Sequence, residues 1–468
     1  MKDNRLTQPA EGQPPELEQK VAEVLHPFQR FIHDQTTSSK TLFLFTVVAL
    51  LIANTGFNEP MTAFFDTYIG VALNDRLYQM SLLHWINDGL MALFFLILGM
   101  EIKREVLVGE LSAPANLTPV LGAAIAGMVF PALTFWLFNM GTEYEAGWGI
   151  PMATDTAFAV GVLALLGKRV PIAAFSFLTG LAIIDDIGAI LVIALFYTET
   201  LYFASLVAAA GITGMMFLSN LMGIRRPVVY FTLGVLLWLA VLNSGIHATI
   251  AGILIALTIP ARPKAKPAII MEKLSRLSLR FQNIVQNKTA GKPVLASKTQ
   301  HELADELKKT ANQATTPLRR WERYLHVPVG LMVLPIFAFA NSGVVINTES
   351  LAATVESPLA WGILLGLIAG KGLGIPLMTW LVVKTGLGEL PRGLTMKHMF
   401  GLGMLGAIGF TMSIFITGLG FEGNDQAQTI AKSAILFTSL VSGIAGYLIF
   451  RFSPANSTAD RKGAVIDE

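Results

Sequence analysis

Five ionisable residues lie within long apolar stretches of this sequence, namely Asp88, Asp155, Asp185, Asp186 and Lys371. On insertion scales a charge at the centre of a bilayer costs about 2.5–3.5 kcal/mol, so four of them amount to on the order of 10 kcal/mol. That cost is comparable with the net stability of a whole domain. The five groups should therefore pair with one another or line a wet cavity, where carboxylates could bind a cation or a proton.

The strongest signal is LAIIDDIGAI, in which Asp185 and Asp186 are adjacent in the middle of one apolar run. Successive helix residues point about 100° apart, so the two carboxylates cannot face one ion equally. One can line an aqueous pathway while the other turns to a basic partner, for which Lys371 is the candidate at similar depth. A buried salt bridge without a transport role is the alternative, but it leaves the second carboxylate uncompensated.

A second signal is the run ATDTA around Thr154 and Asp155. Threonine and aspartate compete for helix backbone hydrogen bonds, so the helix is expected to break there. A broken helix exposes positive partial charge at one inner end and negative at the other, which Asp155 and Lys371 would offset. The run GAIGFTMS from Gly406 predicts a similar break, although small residues there could merely permit close packing. Paired breaks suggest two interrupted helices crossing at the midplane, within inverted three-helix repeats.

The composition predicts a membrane-embedded scaffold for these residues. Of the 468 residues, 53% are apolar and only 14% are charged, against about 25% charged in an average soluble domain. This argues against a soluble enzyme and for an all-α polytopic membrane protein with about twelve transmembrane helices. Each apolar run is near the ~20 residues that cross a bilayer. The runs are centred near Val47, Leu93, Ile125, Val160, Ala189, Gly211, Val235, Gly252, Ile336, Leu367, Gly409 and Ser442.

Lysine and arginine fall in every second connection between the runs, as at Lys103, Lys168 and Arg225. Because basic loops stay in the cytoplasm, both termini are expected there. The predicted division is a cytoplasmic segment 1–40 with an amphipathic helix near 17–31, transmembrane helices 1–8 in 41–261, a charged cytoplasmic insertion 262–326, transmembrane helices 9–12 in 327–452 and a cytoplasmic tail 453–468.

The sequence lacks the motifs that are typical of several other classes of function. The sequence has no cysteine, its seven histidines are scattered, and its net charge is only +2, which disfavours a disulfide scaffold, a zinc site and a nucleic-acid partner. It has no nucleotide-binding loop of the G-x-x-x-x-G-K-[ST] type and no repeated filter motif. Secondary transport of a small cation, without a cofactor, is the interpretation left.

Two other interpretations stay open on the residues alone. A sodium-coupled symporter could use Lys371 to hold the carboxylate of an organic anion. A channel-like or sensory membrane protein could pass current without obligatory exchange.

Further charged residues lie near the ends of the runs. Asp88 is expected to cap or pack near the outer end of the second span. Solvated helix ends are the simplest interpretation of the others, although a charged cluster could funnel ions or sense pH. These residues are Glu101, Lys103, Arg104, Glu105, His247, Glu322 and His326.

Six segments closely resemble the bacterial NhaA-type Na⁺/H⁺ antiporters, a family with inverted repeats and broken helices. They are ATDTAFAVGVLALLG from Ala153, LAIIDDIGAI, SGIHATIAG, LPIFAFANSGV, GKGLGIP and GAIGFTMSIFI. The resemblance runs from about Phe31 to Arg451. The chain departs from the usual pattern in its long N-terminal extension, its long loop after Pro260, and Arg323 at a position where a histidine can occur.

The resemblance implies export of Na⁺ or Li⁺ from the cytoplasm across the bacterial inner membrane in exchange for H⁺, electrogenic and pH-regulated. It makes Asp186 the principal ion- and proton-binding carboxylate, with Asp185 paired to Lys371 and with Asp155 and Thr154 at the helix break. It assigns pH regulation to Glu101, Lys103, Arg104, Glu105, Glu322 and His326, and pH response or dimer contact to His247. It also implies a homodimer formed through a hairpin, for which the stretch from Phe65 to Leu77 is the candidate.

Overall fold

The computed structural model describes residues 35–73, 76–109, 114–198, 201–263, 267–286 and 298–453, which are largely helical. The amphipathic helix predicted near 17–31 lies outside the described residues. In chain order the helices are α1 (Gln35–Ala53), α2 (Asn58–Phe65), α3 (Leu82–Val108), α4 (Pro114–Asn139), α5 (Thr156–Leu165), α6 (Ile172–Phe196), α7 (Phe203–Leu221), α8 (Pro227–Leu242), α9 (Ile250–Thr258), α10 (Pro267–Gln286), α11 (Lys298–Ala314), α12 (Pro317–Asn341), α13 (Thr348–Glu356), α14 (Pro358–Lys384), α15 (Met396–Gly406), α16 (Phe410–Gly420) and α17 (Asp425–Arg451).

The predicted apolar runs coincide with these helices, or with a break inside one. Within the described residues, eight helical stretches are long and apolar enough to cross a membrane, and the bent pairs α1–α2 and α15–α16 raise the number to ten. The two remaining runs, near Val235 and Gly252, correspond to the shorter helices α8 and α9. The prediction of an all-α polytopic membrane protein is therefore confirmed.

A β-hairpin connects α2 to α3. Its strands β1 (Tyr68–Leu73) and β2 (Arg76–Ser81) are antiparallel, with Tyr68 opposite Ser81 and Leu73 opposite Arg76. Ser81 then begins α3, because its hydroxyl accepts a hydrogen bond from the backbone N–H of His84 at 3.2 Å. The stretch in which a hairpin was expected from the resemblance thus does form one.

Glycines allow α3 and α9 to pack with their backbones in contact. A Cβ atom at Gly252 would overlap the backbone oxygen of Ala92, and one at Gly99 would lie 2.7 Å from the Cβ of Ala256. Such close approach lets helices pack in a membrane, where apolar side chains gain little by leaving the lipid. This packing fixes the position of α3, whose ends carry several of the charged residues noted in the sequence.

The predicted charged insertion contains the helices α10 and α11, which pack against each other. Ile270 and Leu277 of α10 are buried, and Lys273 Nζ lies 3.6 Å from Glu306 Oε1 of α11. Helix α12 follows at once, where the Thr316 hydroxyl accepts a hydrogen bond from the N–H of Arg319 at 3.2 Å.

Two spans are interrupted where the sequence predicted. A 3-10 helix (Glu145–Met152) precedes α5, and extended backbone at Ala153 and Asp155 separates the two. In the second case α15 and α16 meet at a 44° bend around Gly409. Each interrupted span is flanked by two long helices, α4 and α6 in the first case and α14 and α17 in the second, so the order helix, broken span, helix occurs twice.

Candidate functional site

The two breaks cross each other and are joined by backbone groups that the breaks release from helix hydrogen bonding. The N–H of Asp155 donates to the carbonyl oxygen of Ile408 at 2.6 Å. The Ser413 hydroxyl donates to the carbonyl oxygen of Ile150 at 2.8 Å. A broken helix inside a membrane must satisfy its freed polar groups within the protein, and here each break supplies partners for the other.

Asp155 caps two helices at once. Its Oδ1 accepts a hydrogen bond from the N–H of Phe158 in the first turn of α5, at 3.0 Å. Its Oδ2 accepts from the N–H of Thr411 in the first turn of α16, at 3.1 Å, and from the Thr411 hydroxyl at 2.5 Å. Because helix N-termini carry positive partial charge, a single buried carboxylate compensates both inner ends that face it.

Lys371 lies on the side of the crossing where α15 ends, whereas Asp155 lies where α5 and α16 begin. Its Nζ donates to Asp185 Oδ2 at 3.0 Å and to the Thr154 hydroxyl oxygen at 2.6 Å. Thr154 Oγ1 is also 2.8 Å from Asp185 Oδ2 and 2.9 Å from the carbonyl oxygen of Gly406, at the C-terminus of α15. A hydroxyl has one proton, so Thr154 donates to one of these acceptors at a time. The ammonium group therefore faces both a carboxylate and, through Thr154, a negative helix end.

The backbone around Lys371 is shaped to bring its side chain into this crossing. Gly366 to Lys371 form a π-helical turn inside α14, a widened geometry that is frequent at functional sites. A Cβ atom at Gly370 would lie 2.7 Å from Cα of Pro131 in α4, and one at Gly403 would lie 3.1 Å from the carbonyl oxygen of Lys371. Glycines on both sides thus allow α4 and α15 to close around the lysine, which is fully buried.

Asp186 differs from Asp155, Asp185 and Lys371, which form hydrogen bonds or an ion pair at the crossing. It is 5% exposed, and no hydrogen bond or ion pair reaches its side chain from the described residues. The groups that act on it electrostatically are three carboxylates, those of Asp185, Glu101 and Asp155, and the ammonium of Lys371. Asp185 retains one free oxygen as well, since its buried Oδ1 has no hydrogen-bond partner in the described part of the chain. Unused carboxylate oxygens are therefore available on two adjacent residues.

Free carboxylate oxygens can coordinate a small cation or take a proton. Among the described residues no group of three or more His, Cys, Asp or Glu side chains forms a resident metal site. Two carboxylates with free oxygens still offer hard ligands of the kind that alkali and alkaline-earth cations prefer. A buried carboxylate is also more stable protonated or beside a cation than alone. Such a site suits a cargo ion that must leave, and the same oxygens can take a proton.

The charged residues at the end of α3 form what we call the Arg104 cluster, which consists of Arg104, Glu101, Glu105 and Glu322. Arg104 contacts the carboxylates of Glu101 at 3.5 Å, Glu105 at 2.5 Å and Glu322 of α12 at 3.0 Å. The cluster therefore ties α3 to α12, and Glu101 also acts on Asp186 electrostatically.

Two of the other predicted regulatory residues lie outside this cluster. Lys103 Nζ donates to the carbonyl oxygens of Leu257 and Ile259, at 2.6 Å each, and so caps the C-terminus of α9. His326 is exposed on α12, and within the described residues it forms no hydrogen bond or ion pair with Arg104.

His247 lies at the other end of α3, beside Asp88. Its Nε2 is 3.7 Å from Asp88 Oδ1, and its ring is 5.3 Å from that of Phe415 in α16. Asp88 is inside a π-helical turn, Trp85–Leu90, and does not cap a helix end. Its backbone oxygen accepts a hydrogen bond from the Trp238 ring N–H at 3.3 Å.

Sequence reasoning missed Thr411 and Ser439 as parts of the crossing. Thr411 binds Asp155 twice, and the Ser439 hydroxyl accepts a hydrogen bond from the N–H of Phe410 at 3.3 Å. The run GAIGFTMS did mark the break, but threonine and serine are common in membrane helices. Their partners become visible only when the two breaks are placed together.

A multi-pass helical protein in which two broken helices cross over buried carboxylates and a lysine has the architecture of a secondary transporter. The family model described as Na⁺/H⁺ antiporter 1 matches residues 29–450. The chain is 43% identical over 452 residues to a protein of Shewanella denitrificans named Na(+)/H(+) antiporter NhaA 1, covering 97% of this chain and 99% of the relative. It is 43% identical to the Na(+)/H(+) antiporter NhaA of Oleidesulfovibrio alaskensis, with 92% and 95% covered, and 44% identical to that of Sulfurimonas denitrificans, with 91% and 95% covered.

The chain therefore belongs to the Na⁺/H⁺ antiporter 1 family, as the resemblance predicted. It is a membrane-embedded secondary transporter of Na⁺ and H⁺ and not an enzyme.

Proposed function

We propose that the protein exports Na⁺, and also Li⁺, from the cytoplasm in exchange for H⁺ by alternating access at the crossing. In this proposal Asp186 is the principal ligand of both the cation and the proton. Asp185 supplies the second carboxylate and is paired with Lys371, while Asp155 and Thr154 hold the broken helices and complete the site. The proposed location is the bacterial inner membrane, with both termini in the cytoplasm.

The observation that carries this proposal is that no described residue forms a hydrogen bond or an ion pair with the side chain of Asp186. A buried carboxylate without a partner is costly, whereas Asp155 and Asp185 have hydrogen bonds or an ion pair within the same crossing. A group left uncompensated in the protein alone is compensated when a cation or a proton binds. Because both ligands use the same oxygens they compete, and competition of this kind couples the two fluxes.

The Lys371–Asp185 pair provides a second charge that can change during the cycle. A cation bound between Asp185 and Asp186 would weaken the hold of Asp185 on Lys371, and the lysine could then lose its proton. One proton on Asp186 and one at this pair would make two protons inward for each Na⁺ outward. The exchange would then move one net charge per cycle and be electrogenic.

Regulation by pH is proposed for the residues around α3 and α12. The Arg104 cluster joins α12 to α3, which packs against the helix that carries Asp186, so a change in the charge of the cluster would alter how these elements pack. Lys103, His326 and His247 are included in this proposal as neighbours on α3, α12 and the segment before α9. The hairpin β1–β2 is proposed as the contact of a homodimer, and 262–326 as a cytoplasmic insertion between transmembrane segments 41–261 and 327–452.

Asp186→Asn in sealed vesicles tests the proposed site. A pH gradient is imposed, Na⁺, Li⁺ or K⁺ is added in turn, and the collapse of the gradient is followed with a pH-sensitive dye. The wild type is expected to respond to Na⁺ and Li⁺ but not to K⁺, and Asp186→Asn to none of them. The matched control is Asp66→Asn, which neutralises an exposed carboxylate and should leave exchange unchanged. Full exchange by a correctly folded Asp186→Asn protein would overturn the assignment.

A further inference from the structure

A long apolar slot of about 760 Å³ runs along the outside of the helix crossing. Its walls are α1, α5, α17 and α13 with the segment 344–346 before it, and its inner wall is the second break itself. Residues of α1 contribute at helical spacing, as Phe43, Val47 and Leu50, and those of α17 do so as Leu440 and Ile444. A stripe at this spacing normally faces a protein core, yet here it faces a cavity.

The slot opens towards the surroundings of the protein. Phe43, Phe437, Leu440 and Ile444 on its rim are each more than half exposed. In a protein embedded in a membrane, exposed apolar side chains at this depth face hydrocarbon. An apolar cavity does not retain water, so an apolar chain from the bilayer is the available occupant.

The dimensions and charge of the slot indicate which occupant fits. On α17 the lining extends from Ser433 to Tyr447, about 21 Å at 1.5 Å per residue, which is long enough for an acyl chain that crosses one leaflet of hydrocarbon, about 15 Å thick. The described lining residues include a single charged side chain, Lys40, which is exposed and forms no ion pair with another described residue. A long apolar slot with one cation on its rim is complementary to an acyl chain attached to an anionic headgroup.

We infer that this slot binds one acyl chain of an anionic phospholipid from the cytoplasmic leaflet, with the lipid phosphate held by Lys40. The choice of leaflet rests on the orientation proposed above. Phosphatidylglycerol, with one negative charge, is the simplest lipid of this class.

The bound chain would lie directly against the moving part of the transporter. Ile408 and Phe410, which flank the break at Gly409, line the slot, and the carbonyl oxygen of Ile408 accepts the hydrogen bond from Asp155. Phe158 of α5 packs edge-on against Phe410 at 4.9 Å and against Phe43 at 6.4 Å. An acyl chain in the slot therefore supports both broken helices from one side, and exchange should be faster when the slot is filled.

Two variants separate this site from general effects of lipid. Gly443 faces the slot, and a Cβ atom there meets only ordinary contacts, 3.6 Å from Ile408 Cδ1 and 4.0 Å from Val162 Cγ2. Gly443→Leu should therefore fold and place its side chain where the acyl chain would lie. Gly211→Leu on α7 is the matched control, because nothing lies within 4 Å of a Cβ atom at that position. Lys40→Gln removes the charge and leaves the slot open.

Native mass spectrometry with added phosphatidylglycerol measures binding independently of transport. The wild type and Gly211→Leu should each retain one more lipid than Gly443→Leu. Lys40→Gln should bind it about fivefold more weakly, which is what one interfacial cation contributes towards anionic lipid. Equal retention by the wild type and Gly443→Leu would overturn the proposal. A wild type that retains no lipid would also overturn the proposal. That result is expected if residues 1–34 or a second copy of the chain fill the slot instead.

Sodium-driven collapse of a pH gradient then tests the functional consequence. Wild type and Gly211→Leu should exchange faster in vesicles that contain phosphatidylglycerol than in vesicles of phosphatidylcholine alone. Gly443→Leu should exchange in both, at one rate, because its leucine replaces the acyl chain. A response of Gly443→Leu to phosphatidylglycerol equal to that of the wild type would contradict the assignment, even if antiport itself is confirmed.

Discussion

The double cap formed by Asp155 makes a quantitative prediction about how the crossing is held together. Asp155→Ala removes the caps of α5 and α16, each worth about 1 kcal/mol, and one hydroxyl bond to a charged group, worth about 2 kcal/mol. The expected loss of unfolding free energy is thus about 4 kcal/mol. Thr411→Val keeps the side-chain volume and removes only the hydroxyl bond, so its expected cost is about 2 kcal/mol.

The two substitutions should not be additive, because they remove the same hydroxyl bond. The double variant is expected to lose about 4 kcal/mol rather than about 6, which is a coupling energy of about 2 kcal/mol. Thr417→Val provides the matched control. Thr417 is also buried on α16, but its hydroxyl donates to the backbone oxygen of Ser413 at 2.8 Å, so its cost should add to that of Asp155→Ala.

Unfolding by sodium dodecyl sulfate in mixed micelles, followed by tryptophan fluorescence, gives the four free energies of the cycle. Refolding from the unfolded end of each titration checks that the transitions are reversible. A coupling below about 0.5 kcal/mol, the ordinary limit of additivity for independent sites, would refute the double cap. A coupling of the same size between Thr417→Val and Asp155→Ala would show that the titration reports a general loosening of α16 and not the loss of one hydrogen bond.

Two further predictions concern the lysines. Lys371→Met leaves Asp185 as an uncompensated buried charge and should lower the free energy of unfolding by about 3–5 kcal/mol. Adding Asp185→Asn should restore most of that stability in the same micelle titration. A double variant no more stable than Lys371→Met would contradict the pairing. Lys103→Met removes the charge that caps α9 and should cost about 1–2 kcal/mol. Lys103→Arg, which can still donate to the carbonyls of α9, should retain most of the thermal stability in detergent, and equal loss in both variants would argue against a cap.

Local sequence was sufficient for most of the membrane scaffold. The apolar runs have the length of membrane-crossing helices, and run length is a property of neighbouring residues. The break at Thr154 and Asp155 was predictable for the same reason, because these side chains compete with helix hydrogen bonds wherever they occur. The runs near Val235 and Gly252 were predicted like the others but form helices shorter than a bilayer crossing, and α9 packs closely against α3 at Gly252.

Buried charges need partners, and this requirement could be read from the local sequence. The sequence predicted only some of the partners. The pairing of Lys371 with one of two adjacent aspartates was expected from charge and depth. Which aspartate it contacts depends on how α14 is rotated against α6, and the π-helical turn before Lys371 changes that rotation. The one-residue difference decides which carboxylate stays unpaired.

The sequence by itself thus determined where the apolar segments lie, the places where two of them break, and the need to compensate five charges. These follow from the cost of polar groups in hydrocarbon, which acts residue by residue. Only the tertiary structure decided that Asp155, which caps α5, also caps α16 at Thr411, that Thr154 contacts both Lys371 and the carbonyl of Gly406, and that Asp186 has no bonded partner among the described residues. The partners are 256 residues apart in the first case and 217 and 252 in the second. Their contacts depend on the angle and depth at which the two broken helices cross, which no short stretch of sequence specifies.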